Sequence, residues 1–447
     1  MTLLKNISCL LLPAFAQAAT VNYTIPSTAA ASAAKLAPAP VGLSFEFFAY
    51  PSYFTNVTAT NQCLANFKDL SGTWPPIRIG GTTQYVISKS QRLSELMEIN
   101  RDRATYDTNT SAYVVYSVNS SVDAPASLTF GPNLMKLAST YPGTVVLGLN
   151  RGHNDITNTI AAAKSAKGSM GNLKAIELGN EPEYYTSDGQ PIASPSWTPA
   201  IDAASQNNWD FQVGTALQST NIIQAGNSNA SPPTWGAAEL IARGNATVRT
   251  YVKDYAHHNY PGGTLQNLMS HSGIVSNLAP IGTDGKAANA VGKEYVLGET
   301  NSVSGGGAAT VSPTFGAALW TLDYTLQATI DSGSSNYGIY VLYNSDKAPI
   351  KAVLINSDYY AGTGTRGSET FVLGGLTVGK GTKAKRLTAG SALSRVDQGS
   401  NPSFGGQIVA NGTCVIGGTE TFETGTVEIT GTASFTVAAS EALLVYF

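Results

Sequence analysis

Two short stretches end an apolar run on a glycine followed closely by a glutamate: Leu178-Gly179-Asn180-Glu181 and Leu297-Gly298-Glu299. Two carboxyl groups facing one gap are the equipment of glycoside hydrolysis. One acid with a raised pKa protonates the leaving oxygen, and one ionised carboxylate attacks the anomeric carbon or activates water. A separation of about 5 to 5.5 Å gives retention of configuration and about 6.5 to 9.5 Å gives inversion. Other polar residues stand at similar run ends: Glu46 in LSFEFF, Arg78 in IRIGG, Asn150 and Arg151 in GLNRG, and His257 to Tyr260 in HHNYPG. Glu183, two residues past Glu181, reads as a loop acid. No His, Cys or acid cluster has metal-ligand spacing, so no metal or other cofactor is expected.

Residues 175–178 read as a short buried strand, and Gly-Asn-Glu-Pro as the turn that leaves it. Six further strands are expected at 42–47, 77–80, 145–150, 221–226, 254–259 and 295–298. Helix-like stretches such as PNLMKLASTYP, DITNTIAAAKSAK, WTPAIDAASQNNWDFQV and PTFGAALWTLDYTLQATI lie between or after them. Strands separated by helices predict a parallel sheet, and their number an α/β fold of the (β/α)8-type TIM barrel. In such a barrel the catalytic groups come from the C-terminal strand ends, where the residues above stand. No Gly-x-Gly-x-x-Gly follows the first strand and no Gly-Lys-Ser/Thr loop occurs, so nucleotide-binding folds lose ground. From about residue 332 the texture changes to short β-branched and aromatic runs split by Gly, Asn, Asp and Ser, the pattern of a C-terminal antiparallel β-sandwich. The organisation read is a signal peptide at 1–18, an N-terminal strand and connector joining the sandwich at 19–40, the barrel at 41–331, and the sandwich at 332–447.

The 447 residues carry a net charge of -3 with only 12% charged residues. No basic run suggests nucleic acid or an anionic membrane, and no run after the leader reaches the roughly 20 apolar residues of a membrane span. An oligo- or polysaccharide partner suits this balance, and a monomer is expected. Lys5, the apolar stretch Leu10 to Phe15 and Ala16-Gln17-Ala18 have the layout of a secretory signal peptide. Asn-x-Ser/Thr acceptors at Asn22, Asn56, Asn109, Asn119, Asn229, Asn245 and Asn411 agree with a secreted glycoprotein. Cys63 and Cys414 remain after the leader, and a long-range bridge and two buried thiols are both open.

PIRIGG, ELGNEPEYY, HHNYPG and VLGETNS, in this order, resemble the fungal β-glucuronidases of glycoside hydrolase family 79, part of a clan of retaining barrels with acids on strands four and seven. The likeness extends over nearly the whole chain after the leader, including KAKRLTA and ASEALLVYF. The resemblance implies Glu181 as acid/base, Glu299 as nucleophile, and Asn180 as a donor to the sugar 2-hydroxyl. It also implies Glu46 on a sugar hydroxyl, Arg78 paired with the nucleophile, and Tyr260, Ser304 and Gly305 around the sugar carboxylate. Counting strands from residue 42 independently places the two glutamates on strands four and seven. The implied activity is release of terminal glucuronic acid, or its 4-O-methyl form, from plant polysaccharide or glycoconjugate side chains.

The chain departs from the family pattern in two places. Ser304 stands where the family tends to carry an aromatic residue, which leaves room for a β-glycosidase of neutral sugars. The eighth strand and helix expected after residue 330 have no counterpart: helix-like residues run straight into sandwich-like strands. A barrel short of one strand leaves two unpaired edges. An inactive carbohydrate-binding relative is therefore the reading from another class.

Overall fold

Seven short apolar runs form one parallel sheet in the computed structural model, which describes residues 20–31, 33, 35–81, 102–119, 124–193, 195–329 and 337–447. The signal-peptide reading of 1–18 lies outside the described residues. After β1 (Thr20–Thr24), the sheet takes β2 (Leu43–Glu46) and β3 (Ile77–Gly80). A small separate sheet of β4 (Ala104–Tyr106), β5 (Val114–Tyr116) and β6 (Leu128–Phe130) interrupts it. The parallel sheet resumes with β7 (Val145–Leu149), β8 (Leu173–Leu178), β9 (Ile223–Ser228), β10 (Val252–Asn259) and β11 (Glu294–Thr300). Each strand pairs with the one before it, in the order β2-β3-β7-β8-β9-β10-β11. This is the sequential winding of a barrel wall, and both faces of β3 and β9 are buried. Burial on both faces explains why neither strand shows the strict apolar-polar alternation of a half-exposed one, and the polar groups they bury, such as Arg78 and Gln224, are hydrogen-bonded.

Helices cover the outer face. They are α1 (Tyr50–Thr55), α2 (Thr58–Ser71), α3 (Pro132–Ser139), α4 (Ile156–Ser169), α5 (Pro199–Leu217), α6 (Ala237–Arg243), α7 (Ala246–Tyr251), α8 (Leu265–Met269), α9 (His271–Ala290) and α10 (Phe315–Thr329). Asp155 caps α4 by accepting from the Asn158 N–H, and Thr198 caps α5 by accepting from that of Ile201. Ala162, Ala163 and Ala166 of α4 and Trp209 and Val213 of α5 join Ile77, Ile79, Leu147, Ile176 and Ile223 in one core. No helix of the described residues is long and apolar enough to cross a membrane.

The remaining strands are β12 (Gly338–Tyr343), β13 (Pro349–Asn356), β14 (Ser368–Gly374), β15 (Gly381–Thr388), β16 (Ser403–Phe404), β17 (Ile408–Val409), β18 (Ile416–Gly417), β19 (Glu423–Thr426), β20 (Ala433–Ala438) and β21 (Glu441–Tyr446). One sheet runs β12-β13-β21-β15-β16, with β19 on β15, and a second runs β1-β14-β20. The N-terminal strand β1 pairs in parallel with β14. Alternation assigns the two faces of the first sheet. Ile339, Val341, Ala352 and Leu354 meet Phe371, Leu373 and Val437 in the core between the sheets. Tyr340, Val353 and Ile355 pack on the other face against Phe315, Leu319, Trp320 and Tyr324 of α10. Residues 426–431 supply only the end of β19 and then a turn, with Ile429 90% exposed.

After α10 the described chain resumes at Tyr337 and enters β12, a sandwich strand. Among the described residues no eighth strand joins the parallel sheet, and β2 and β11 are its end strands. Of the two alternatives open for the cysteines, the structure takes the bridge. Cys63 on α2 is bonded to Cys414 in the turn between β17 and β18, with a Cα–Cα distance of 5.2 Å. Asn66, on the same helix, donates to the Cys414 carbonyl at 2.6 Å.

Candidate active site

The C-terminal ends of β3, β8, β10 and β11 converge on one buried polar cluster. At the end of β8, Gly179 (φ +80°) and Glu181 (φ +48°) both take left-handed backbone. That conformation is costly for a residue with a Cβ, so the surroundings must enforce it. They do so from three sides. The Glu181 N–H donates to the Asn227 carbonyl at 2.9 Å, and the Asn180 N–H donates to the Tyr185 hydroxyl at 3.2 Å. Tyr185 in turn donates to Asp102, which also accepts from the N–H groups of Arg151 and Gly152. A Cβ on Gly179 would stand 2.3 Å from the Tyr185 hydroxyl, so glycine is required there both by φ and by space.

Glu299, near the end of β11, faces Glu181 with His258 of β10 between them. His258 Nδ1 lies 3.3 Å from Glu181 Oε1 and 4.0 Å from Glu299 Oε2. One oxygen of Glu181, one of Glu299 and a ring nitrogen of His258 all lie within 4.8 Å of one another. Arg78 of β3 donates to one Glu299 oxygen and the Tyr260 hydroxyl donates to the other. Burial alone would raise the Glu299 carboxyl. The Arg78 charge, His258 and the hydrogen bonds from Tyr260 and Arg78 outweigh it and hold the group at about 2. Glu299 is thus an ionised carboxylate at any ordinary pH. The three donor atoms could geometrically hold a cation. Arg78 and Tyr260 already occupy the two Glu299 oxygens, however, so the chemistry on offer is that of a carboxylate pair.

Arg78 is itself buried, and it binds Glu177, a mid-strand acid of β8, through Nε at 2.7 Å and Nη2 at 2.5 Å. Its remaining donors reach Asn180 Oδ1 at 2.9 Å and Ser44 Oγ at 3.0 Å. The Asn180 carbonyl is thereby turned to Arg78. Burial raises Glu177 against the pull of Arg78. The Tyr260 hydroxyl is raised well above its ordinary value, first by burial and then by the Glu299 charge. It is therefore a neutral hydrogen-bond donor.

Of the residues singled out in the sequence, the structure brings Glu181, Glu299, Asn180, Arg78 and Tyr260 into this cluster. Glu46 lies beside it: its charge acts on Tyr260, and a Cβ on Gly81 would stand 2.7 Å from its Oε1. Tyr260 bonds the Glu299 carboxylate. Ser304 and Gly305 form part of an exposed turn after β11 in which Gly305, Gly306 and Gly307 all have positive φ. No hydrogen bond among the described residues ties that turn to the carboxylate pair. Of the two neighbouring histidines, His258 lines the site, and His257 is a fully buried imidazole that burial lowers to about 4. Ser44, Glu177 and the Asp102–Tyr185 pair were not read from the sequence. An acid inside an otherwise apolar parallel strand, opposite an arginine in another, was the available signal for Glu177, because a buried charge requires a partner.

Residues 339–444 match the model of the glycosyl hydrolase family 79 C-terminal β domain. The crystal structure of a 4-O-α-L-rhamnosyl-β-D-glucuronidase from Fusarium oxysporum 12S, a Rha-GlcA complex, is 42% identical with a TM-score of 0.86. The likeness covers 96% of this chain and 100% of that one. This chain belongs to glycoside hydrolase family 79. A β-glucuronidase of Aspergillus niger is 31% identical over 318 residues, 64% of this chain and 55% of the relative, and one from Neurospora crassa is 28% identical over 54% of its length. The chain spans about half the length of these curated relatives. CelM2, a bifunctional glucanase-xylanase from a metagenome library, shares the fold at 11% identity with a TM-score of 0.56. The parallel sheet with its trailing antiparallel strands is thus the barrel-like architecture of this group of glycoside hydrolases.

Proposed function

We propose that the protein is a secreted, monomeric retaining β-glucuronidase, built on a (β/α)8-type barrel of which seven strands stand among the described residues. The observation that carries this reading is the carboxylate pair: on the fourth and seventh strands of the sheet, an oxygen of Glu181 and one of Glu299 lie within 4.8 Å of each other. That close approach favours the narrow gap of an enzyme with a carboxylate nucleophile over the wider one an inverting enzyme needs for its water. Glu299, ionised, attacks the anomeric carbon as Glu181 gives its proton to the departing oxygen, which leaves a glycosyl ester on Glu299. Glu181, now a carboxylate, takes a proton from water, and the oxygen of that water attacks the anomeric carbon from the face the leaving group vacated, opposite Glu299, and displaces it. Asn180 donates to the 2-hydroxyl, where the bond strengthens as the ring flattens in the transition state. The relatives named as glucuronidases supply the sugar, and the solved relative, named for a 4-O-rhamnosyl glucuronide, favours a substrate substituted at that oxygen.

The test is hydrolysis of nitrophenyl β-glucuronide, nitrophenyl β-glucoside and a rhamnose-capped glucuronoside by the purified protein, beside Glu299→Gln prepared identically. Turnover of the glucuronides with β-anomer as first product, lost in the variant, is expected. Preference for the glucoside would move the reading to a neutral-sugar enzyme. Sugar binding by a folded protein without turnover would support the non-hydrolysing relative.

A further inference from the structure

The Arg78 guanidinium has five N–H donors, and five contacts use them. Nε and Nη2 grip the two oxygens of Glu177 at 2.7 and 2.5 Å, Nη2 also reaches Asn180 at 2.9 Å, and Nη1 serves Ser44 at 3.0 Å and Glu299. Only the Glu177 contact is bidentate, and a fork gripped along one edge cannot rotate in its plane. That rotation is the motion that would take Nη1 off Glu299 and Nη2 off Asn180. Two glycines wall the fork: a Cβ on Gly80 would stand 3.0 Å from Arg78 Cζ, and one on Gly148 would stand 3.1 Å from the Gly80 Cα and 3.6 Å from Glu177 Oε1. Glu177 is 1% exposed, so it acts on substrate through other residues.

We propose that Glu177 is a positioning residue for the hydrolysis, one that locks the Arg78 fork so that one arm meets the nucleophile and the other turns the Asn180 amide toward the sugar. The proposal rests on the hydrolase reading above. Glu177 also divides the single charge of Arg78 between two carboxylates, so Glu299 is not held in a one-to-one ion pair that would blunt its attack. The charged groups facing Glu177 are Arg78 from β3, Glu299 from β11 and Asp102 from the segment before β4. Those facing Glu299 are Arg78 and His258, with Tyr260 bonded to it and Glu46 beside Tyr260. Removing the Glu177 charge leaves the site one negative charge poorer. The proton donor then loses its proton at lower pH.

The test compares Glu177→Gln and Glu177→Asp with the parent protein in kcat and KM for nitrophenyl β-glucuronide across pH, with a crystal structure of each variant. Both variants are expected to lose about 100-fold in kcat, the scale of a 1 Å misplacement, with KM within about threefold. The basic limb of kcat/KM moves to lower pH in the Gln variant and stays in place in the Asp variant, which keeps the charge. The crystal structures are expected to show Arg78 shifted off Glu299 or Asn180. A folded Gln variant with parental kcat, or an unmoved Arg78 with an unmoved basic limb, overturns the proposal. If the Gln variant does not fold, the Asp variant decides by the same kcat and structural criteria. If the parent protein turns over no substrate, the hydrolase reading falls, and the position of Arg78 in the variants still decides whether Glu177 holds it.

Discussion

Glu181 and Glu299 are the same side chain in two settings. Glu299 has a cation and a phenol on its oxygens and stays ionised, whereas Glu181 has an imidazole nitrogen at 3.3 Å and a left-handed backbone that aims it at the same gap. General acid catalysis by such a residue is worth about 10²- to 10⁴-fold, and most where the leaving group is a poor one. Glu181→Gln should therefore lower kcat/KM by about that factor on a glucuronoside with a sugar leaving group, and by far less on a dinitrophenyl glucuronide, whose leaving oxygen needs no proton. Equal losses on the two substrates would mean that Glu181 is not the proton donor. This part of the site was legible because a glycine and a glutamate at the end of an apolar strand are adjacent in the chain. The Tyr185–Asp102 buttress beneath Asn180 was not, because it joins residues 83 apart and depends on how two loops cross.

All seven strands of the parallel sheet were legible, since each carries a short, mostly apolar stretch with a polar residue at or near its C-terminal end, set between helix-like segments. Several helices were not. α9 contains Gly273, Gly282, Gly285 and Pro280, residues that disfavour helix, and it forms because Ile274, Ile281 and Ala288 pack inward. Helices also hold buried acids whose effect on stability has a definite sign. Asp210 of α5 is fully buried with one oxygen bonded to Gln206 at 2.7 Å and the other without a partner among the described residues. Burial pushes its carboxyl up to about 7 from the ordinary 3.8. The unfolded chain releases this proton first, so its contribution to stability is fully present below about pH 4 and is lost as pH rises through about 7. Asp210→Asn keeps the shape and the bond from Gln206 without the charge. Thermal unfolding should show Tm raised by about 2 to 5 °C at pH 8 and unchanged at pH 4. A Tm difference that does not vary with pH would show that Asp210 carries no such penalty.

Across the whole molecule the sandwich is attached to both ends of the parallel sheet. On the β11 side, α10 presses Phe315, Leu319, Trp320 and Tyr324 against the outer face of the β12–β13 pair. On the β2 side, α2 is tied to the sandwich by Cys63–Cys414 and by Asn66. β2 has one sheet neighbour, β3, among the described residues, and it carries Ser44 and Glu46 beside the buried carboxylate cluster. An end strand with a single partner is the part of a sheet that opens first, so the disulfide, through α2, braces one of the two open edges of the sheet. The bridge joins residues 351 apart, and cross-links closing long loops stabilise by about 2 to 5 kcal/mol. Replacing both cysteines by serine should lower Tm accordingly. If the bridge acts where the geometry places it, amide exchange should quicken most in β2, α1 and α2 and least in β8 and β9, which lie inside the sheet. The half-life of activity at elevated temperature should then fall before global unfolding begins. A uniform rise in exchange would mean instead that the cross-link stabilises only by restricting the unfolded chain, and that the β2 edge is held by packing alone.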